Sequence, residues 1–195
     1  MPVEGPAIVA ANHISYLDPF AHGYFLVQAG RRPRFLGKAE LFDNLLTGWA
    51  LRGAGQIPVR RGTGDRTPLR EAEAALAGGE VVVIYPEGTV TRNEDFSPMR
   101  GKTGLVRLAL ATSAPIVPIA VWGSQQVWQK SGKGKVAFGR PVWLKAGPAL
   151  YLTAEPDRED DIDRLRRLSD DVMGELSALV EDLRARYPRR WSEAR

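Results

Sequence analysis

A histidine and an aspartate stand five residues apart, directly after a short apolar run. Ala7–Ala11 predicts a buried strand, and the block N-H-x-x-x-x-D then follows at Asn12, His13 and Asp18. In a regular helix two such side chains diverge by about 140°, so they could not meet there. At a strand-to-helix turn, Asp18 can reach back to one imidazole nitrogen and leave the other free as a base. The alternative is a structural histidine, with Asp18 only capping the next helix.

Two arginines end a second apolar run. Arg60 and Arg61 close the strand candidate at residues 56–60 and precede a glycine-containing loop. Guanidinium groups stay charged and bind phosphate through two parallel hydrogen bonds, so the pair is a candidate phosphate site. A solvated basic loop would have the same composition.

A third polar block follows the most apolar run, residues 81–85. The residues Pro86, Glu87, Gly88 and Thr89 predict a tight turn with exposed backbone N–H groups. The carboxylate could hold a substrate hydroxyl or orient a nearby arginine, and a plain turn is the alternative. The second histidine, His22, has no motif around it and is interpreted as a packing or surface residue.

The elements that must position these groups alternate between strands and helices. This order predicts a single α/β domain, with a mainly parallel mixed sheet flanked by helices, and sites at the carboxyl ends of its strands. Strands are predicted at Ala7–Ala11, 34–37, 56–60, 81–85, 116–122 and within 135–144, and helices at 18–29, 41–51, 67–77 and 102–112.

The last part of the chain carries apolar residues at steps of three or four. Residues 157–187 therefore predict a long amphipathic helix, too short for a coiled-coil rod and expected to pack on the body. We accordingly divide the chain into an α/β domain, residues 1–156, and a C-terminal helix with a short tail, residues 157–195.

Composition excludes several classes of site and partner. The 195 residues contain no cysteine and two histidines, which excludes disulfides and cysteine nucleophiles and argues against a metal site. Residues 1–156 hold 18 of the 27 basic and 12 of the 23 acidic side chains. This basic excess favours phosphate-bearing partners such as anionic lipid or phosphorylated metabolites. Since no arginine-rich arm, zinc finger or RNA-binding aromatic motif is present, we do not expect nucleic acid as a partner.

In this order and spacing, the blocks resemble the glycerolipid acyltransferase family, typified by 1-acylglycerol-3-phosphate acyltransferase. That family carries N-H-x-x-x-x-D, a glycine-to-arginine block, F-P-E-G-T, and an apolar block with a central proline. The blocks cover residues 7–123. The positions that match are Asn12, His13, Asp18, Gly55, Arg61, Pro86, Glu87, Gly88, Thr89 and Pro118.

Three positions depart from the family pattern. Tyr85 replaces the usual phenylalanine, Val90 replaces the arginine that commonly follows the threonine, and Arg60 stands where many members have aspartate. Arg92 follows two residues after Val90 and is an open candidate for the missing arginine. These departures bear on the phosphate pocket rather than on the histidine–aspartate pair.

The resemblance implies acyl transfer from a thioester, acyl-CoA or acyl-carrier protein, to a free hydroxyl of a lysophospholipid. The first candidate acceptor is 1-acylglycerol-3-phosphate, which would give phosphatidic acid. His13 would take the hydroxyl proton and Asp18 would orient it, with no cofactor and no metal. The acceptor's phosphate would be bound by Arg61, Glu87, Gly88, Thr89 and Arg60, with Asn12, Gly55, Pro86 and Pro118 in supporting positions.

Lipid substrates imply work at a membrane surface, and peripheral attachment at the cytoplasmic face is expected. The predicted helix Leu41–Leu51 has a broad apolar face. Core packing is the favoured explanation for that face, and an acyl-chain groove or a membrane-interface helix are the alternatives. Other functions also stay open: the same fold with another lipid or glycolipid acceptor, a silent lipid-binding module, or a hydrolase that replaces the alcohol by water.

Overall fold

Three apolar runs form the centre of the sheet. Strands β1 (Ala7–Ala11), β4 (Val81–Ile84) and β5 (Ile116–Trp122) are buried along almost their whole length, as expected for strands covered on both faces. The computed structural model describes residues 4–60, 67–128, 139–154 and 161–192 of the chain.

The other strands of the described residues are β2 (Pro33–Lys38), β3 (Ile57–Val59) and β6 (Trp143–Ala146), and the six strands lie in the order β3-β2-β4-β1-β5-β6, so that β3 and β6 form the edges. All neighbouring pairs are parallel except the last, in which β6 runs antiparallel to β5. The predicted α/β class with a mainly parallel mixed sheet is therefore confirmed.

Helices cover both faces of this sheet because the strand side chains alternate. Ile8 and Ala10 of β1 face the cluster that contains Leu76, Leu108 and Leu165, whereas Val9 and Ala11 face Leu26. The helices are α1 (Asp18–Gln28), α2 (Glu40–Asp43), α3 (Leu45–Gly53), α4 (Thr67–Ala77), α5 (Gly104–Thr112), α6 (Ser124–Val127), α7 (Ile162–Arg186) and α8 (Arg189–Ser192).

The predicted single helix over Leu41–Leu51 is wrong. Asn44 has an extended backbone, with φ −76° and ψ 136°, and its side chain accepts hydrogen bonds from the N–H groups of Leu46 and Thr47. Asparagine capping therefore starts a new helix, α3, after the short α2. Arg52 joins the two helices by donating from both terminal nitrogens to the carbonyl of Phe42, at 2.9 Å each.

The expected burial of that apolar face is also wrong. The exposed fractions are 90% for Leu45, 80% for Leu46 and 79% for Trp49, and only Phe42 points into the protein. The apolar pattern predicts that this segment is helical, but it does not say whether protein, lipid or water covers its apolar side chains.

The C-terminal helix packs on the body, as its continuous apolar stripe predicts. Leu165 and Leu176 of α7 are fully buried, and the helix lies against β5. It begins at Ile162 rather than at 157, with Asp161 as the capping residue. The predicted domain boundary at residues 156–157 lies outside the described residues, as do residues 135–138 of the predicted strand region 135–144; the last two residues of that region begin β6.

Candidate active site

Three loops meet at one edge of the sheet because β1, β4 and β5 are parallel neighbours. The active-site loop, residues 12–18, follows β1, the Tyr85–Thr91 turn follows β4, and Gly123–Ser124 follows β5. Carboxyl ends of parallel strands are the usual place for binding sites in such folds. The structure thus brings the first and third sequence blocks together.

His13 and Asp18 are in direct contact. His13 Nδ1 lies 2.9 Å from Asp18 Oδ2, and the side chain of Asp18 is fully buried, whereas that of His13 is 14% exposed. A carboxylate in this place accepts the Nδ1 proton and so leaves Nε2 unprotonated. Among the described residues none is hydrogen-bonded to that second nitrogen.

Asp18 does not cap helix α1, contrary to the alternative that the sequence left open. Leu17 is the capping residue, and no side chain caps the helix. The carboxylate turns back instead, and Oδ2 also accepts from the N–H groups of Ile14 at 2.6 Å and Ser15 at 2.7 Å. Ser124 Oγ donates to Oδ1 at 2.5 Å. Four donors therefore hold this carboxylate in the orientation that meets His13.

Glu87 holds the backbone of the active-site loop. Its Oε1 accepts from the N–H of His13 at 3.3 Å and its Oε2 from the N–H of Met99 at 3.0 Å, while the N–H of Thr91 donates to the carbonyl of His13 at 2.7 Å. Burial raises the pKa of Glu87, and these backbone N–H groups partly oppose the rise. The contacts show a positioning role for Glu87, while its predicted contact with phosphate stays a prediction.

Asn12 joins the ends of two strands. Its amide donates to the carbonyl of Val121 at 3.0 Å and its Oδ1 accepts from the N–H of Val121 at 2.8 Å. The side chain is fully buried, so both bonds count towards the stability of this edge. Pro118 lies three residues before Val121 in β5, where it is buried and in register with Ala10 of β1.

The sequence did not predict the aromatic neighbour of His13. The ring of Tyr85 stacks on the His13 imidazole with centroids 4.3 Å apart, and its hydroxyl lies 3.3 Å from His22 Nδ1. His22 is fully buried, its Nδ1 is 2.9 Å from the carbonyl of Asp18, and burial lowers its pKa. The buried position of His22 agrees with its interpretation as a packing residue. The sequence signal for the aromatic contact with His13 was the tyrosine at position 85, where the family usually has phenylalanine.

The two serines beside the histidine are committed to other bonds. Ser15 Oγ donates to the carbonyl of Trp128 at 2.5 Å, and Ser124 Oγ donates to Asp18. Neither hydroxyl is hydrogen-bonded to His13, so neither of these two serines forms the serine–histidine pair that activates a nucleophile.

The described part of the glycine-to-arginine block, residues 55–60, contains the edge strand β3. Strand β3, which precedes Arg60, is separated from β1 by β2 and β4. Arg60 lines a cleft of 220 Å³ together with Asp43, Arg52 and Glu71. Gly55 has φ +67° in the turn that ends α3, where a Cβ would lie 2.9 Å from the guanidinium of Arg34. Arg61 lies outside the described residues, so its predicted role stays a prediction.

The described residues contain neither a cluster of metal ligands nor a helix that could span a membrane. No three histidine, cysteine or carboxylate side chains are grouped so that they could hold a metal ion. No helix within those same ranges is long and apolar enough to cross a membrane.

Comparison with known proteins supports the resemblance. Residues 1–122 match the acyltransferase family. The chain is 31% identical over 144 residues to 1-acyl-sn-glycerol-3-phosphate acyltransferase of Bacillus subtilis, covering 73% of this chain and 69% of that one. It is 33% identical over 117 residues to lyso-ornithine lipid O-acyltransferase of Pseudomonas aeruginosa, covering 60% of this chain and 43% of that one.

The fold is similar to a solved structure as well. The crystal structure of the 1-acyl-sn-glycerophosphate acyltransferase PlsC from Thermotoga maritima superposes with a TM-score of 0.66 and 26% identity, covering 95% of this chain and 69% of that one. The chain spans 37 to 43% of the length of several other curated relatives that it matches. Since the family match covers well over half of the chain and includes the histidine–aspartate block, this chain belongs to the acyltransferase family, in its 1-acyl-sn-glycerol-3-phosphate acyltransferase-like branch.

Proposed function

We propose that this chain transfers a fatty acyl group from a thioester, acyl-CoA or acyl-carrier protein, to the free hydroxyl of a lysophospholipid. The observation that carries the proposal is the bond between His13 Nδ1 and the buried carboxylate of Asp18, which leaves Nε2 to act as a base. The acyl thioester is a substrate, and the reaction needs no other cofactor.

The proposed reaction is a single displacement. His13 Nε2 accepts the proton of the acceptor hydroxyl as the oxygen attacks the thioester carbonyl. The carbon–oxygen ester bond forms, the carbon–sulfur bond breaks, and the imidazolium returns its proton to the leaving thiolate. General base catalysis of this kind contributes about 10²- to 10⁴-fold. The absence of cysteine and the commitment of Ser15 and Ser124 to other hydrogen bonds support direct attack over an acyl-enzyme.

We further propose 1-acylglycerol-3-phosphate as the acceptor, which makes phosphatidic acid the product. The relative from Bacillus subtilis and the solved structure from Thermotoga maritima carry that activity in their names. In this proposal Arg61, Glu87, Gly88 and Thr89 contribute to the phosphate site, whereas Arg60 lines the cleft that it shares with Asp43 and Glu71.

One observation favours a second acceptor class. The relative from Pseudomonas aeruginosa is named for a lyso-ornithine lipid, and Val90 stands where the family commonly has an arginine. An acceptor without phosphate would not need that arginine. The histidine–aspartate chemistry would be the same for both acceptors, so only the acceptor pocket distinguishes them.

We propose that the protein works at a membrane surface, with α3 in contact with lipid. The apolar patch, which consists of Leu41, Leu45, Leu46 and Trp49, is exposed on α2 and α3. The stretch of sequence that contains this patch, residues 31–60, holds six basic and two acidic side chains, a net charge equal to that of the whole chain. An apolar face next to basic residues is the combination that binds an anionic lipid interface.

The experiment that tests the acceptor is a comparison of lipid products. The purified chain is incubated with an acyl thioester and, separately, with 1-acylglycerol-3-phosphate, monoacylglycerol, lyso-ornithine lipid or no acceptor. We expect phosphatidic acid by mass spectrometry and thiol release that depends on the phosphorylated acceptor. Product from lyso-ornithine lipid alone would establish the second acceptor class. Thiol release without any acceptor would show a hydrolase, and no product with any acceptor would contradict the proposal.

A further inference from the structure

Lys102 lies against the turn that follows β4. Its backbone N–H donates to the carbonyl of Pro86 at 2.9 Å, which brings the lysine beside the Glu87–Gly88 turn. A Cβ built on Gly88 would lie 2.9 Å from Lys102 Nζ and 3.2 Å from Cε. The ammonium therefore occupies the space that a side chain at position 88 would need.

Glycine at position 88 serves two purposes here. Its backbone has φ +74°, a conformation that other residues adopt only with strain. The missing side chain also allows the lysine to approach the backbone of the turn. The neighbouring residue, Glu87, accepts from the N–H of His13, so the ammonium stands close to the backbone that carries the base.

The charge of Lys102 is not neutralised within the protein. In the part of the chain that the structure describes, no carboxylate pairs with it, and the side chain is exposed. Other cations differ: Arg100, two residues earlier, pairs with Asp170, and Lys145 pairs with Asp182 at 2.7 Å. An unpaired ammonium at the edge of an active site is suited to an anionic ligand.

We propose that Lys102 binds a phosphate group of the substrate at the Gly88 turn. The inference rests on the proposed acyl transfer and extends it by one residue. In 1-acylglycerol-3-phosphate the phosphate is attached to the carbon next to the one that bears the free hydroxyl. A cation that binds this phosphate must therefore lie close to His13. Lys102 lies against the turn whose Glu87 binds the backbone N–H of His13, and it provides a charge near the position where Val90 replaces the usual arginine.

Phosphate esters also occur in the donor, in coenzyme A and in the phosphopantetheine arm of acyl-carrier protein. The ligand chemistry is the same in both cases, a phosphate ester, so the test measures the two substrates separately. The variants are Lys102→Gln, Lys102→Arg and, as a matched control, Arg100→Gln, which removes one charge from the same loop at a residue already paired with Asp170.

We expect Lys102→Gln to raise the KM for 1-acylglycerol-3-phosphate about tenfold with little change in kcat, because a hydrogen bond to a charged group is lost. The KM for monoacylglycerol, which lacks the phosphate, should not change. Lys102→Arg should recover most of the affinity, and Arg100→Gln should behave as the native protein. A rise confined to the KM of the donor would assign Lys102 to the donor's phosphate.

Unchanged KM values for both substrates in Lys102→Gln would overturn the inference. It would also be overturned if the KM for 1-acylglycerol-3-phosphate rose in Arg92→Gln and not in Lys102→Gln. The inference can also fail or survive independently of the proposed reaction. If the native chain transfers no acyl group, binding of glycerol 3-phosphate by calorimetry decides: weaker binding to Lys102→Gln supports the site, and equal binding overturns it.

Discussion

The active-site loop and the α2–α3 helices are held in opposite ways. In residues 12–18 the active-site loop is fixed by partners from β5 and from the segments that follow β4 and β5, and Asp18 alone accepts four hydrogen bonds. Helices α2 and α3 are held together by hydrogen bonds that Arg52 and Thr47 of α3 donate to backbone carbonyls of α2. Helix α3 presents Leu45 and Leu46 to solvent.

The difference separates two requirements of an enzyme that acts on lipids. A base must be oriented before substrate arrives, and a saturated, buried hydrogen-bond network provides that orientation. A surface that meets lipid needs no such network, since exposed apolar side chains are stabilised only when an apolar phase covers them.

The largest effect is expected from Asp18→Asn. The amide would present N–H groups to the donors that now bind the carboxylate, so His13 loses its orientation and the imidazolium loses its counter-charge. We expect kcat to fall about 10²- to 10⁴-fold. Steady-state thiol release measures it, with Asp170→Asn, an exposed carboxylate paired with Arg100, as the matched control. A kcat close to that of the control would contradict the role of Asp18.

The second effect concerns the α2–α3 helices. The triple variant Leu45→Ser, Leu46→Ser and Trp49→Ser should bind vesicles containing anionic lipid at least about tenfold more weakly, because each apolar side chain contributes on the order of 1.5–3 kcal/mol when buried. Thermal stability should not fall, since these side chains contact solvent in the folded chain. Tyr151→Ser is the control, because Tyr151 is an aromatic side chain that is 73% exposed but lies outside the apolar patch. It follows Leu150, which pairs with Ile116 at the start of β5. Unchanged vesicle binding in the triple variant would exclude this patch as the membrane contact.

A smaller effect is expected from Ser124→Ala. The variant removes one donor to Asp18 and should lower the free energy of unfolding by about 1–3 kcal/mol and kcat severalfold. Chemical denaturation and steady-state kinetics measure the two changes. Ser97→Ala removes a serine–aspartate bond of the same kind at the surface, where Ser97 donates to Asp95, and should change neither quantity. Equal behaviour of the two variants would show that burial of the network is unimportant.

The smallest effect is a pH dependence of stability. Burial lowers the pKa of His22 below its ordinary value of 6.5, so between the two values the unfolded chain binds a proton that the folded chain does not. The free energy of unfolding should therefore fall as pH drops below about 6.5, by at most about 1.4 kcal/mol per pH unit. The raised pKa of Glu87 acts with the opposite sign at lower pH. Urea denaturation of the native chain and of His22→Gln tests this, and identical slopes above the range of Glu87 would refute it.

Apolar pattern and order predicted most of the fold. Continuous apolar runs place β1, β4 and β5 within a residue of their observed bounds, and the alternation with helices predicts the parallel sheet. The split at Asn44 was missed because a capping residue inside a helical pattern competes with that pattern. The exposure of Leu45 and Leu46 was missed because periodicity does not identify what covers a face.

The site could be predicted only where it is local in sequence. His13 and Asp18 are five residues apart, so their contact depends on one turn. Ser124 and Tyr85 reach the same place from β5 and β4, and no local pattern specifies contacts across the sheet. Lys102 was missed for the same reason, since its position follows from a backbone bond to Pro86. The exposed cation could not be distinguished by sequence from other surface lysines.

In the proposed reaction His13 is the base for acyl transfer to a phosphorylated lysolipid. The most direct measurement is the rate of thiol release from an acyl thioester, with and without 1-acylglycerol-3-phosphate, for the native chain and for His13→Ala, whose folded state is verified by circular dichroism. We predict that the native chain releases thiol only with acceptor and that His13→Ala loses about 10²- to 10⁴-fold of that rate. Acceptor-dependent release at an unchanged rate in folded His13→Ala would contradict the account.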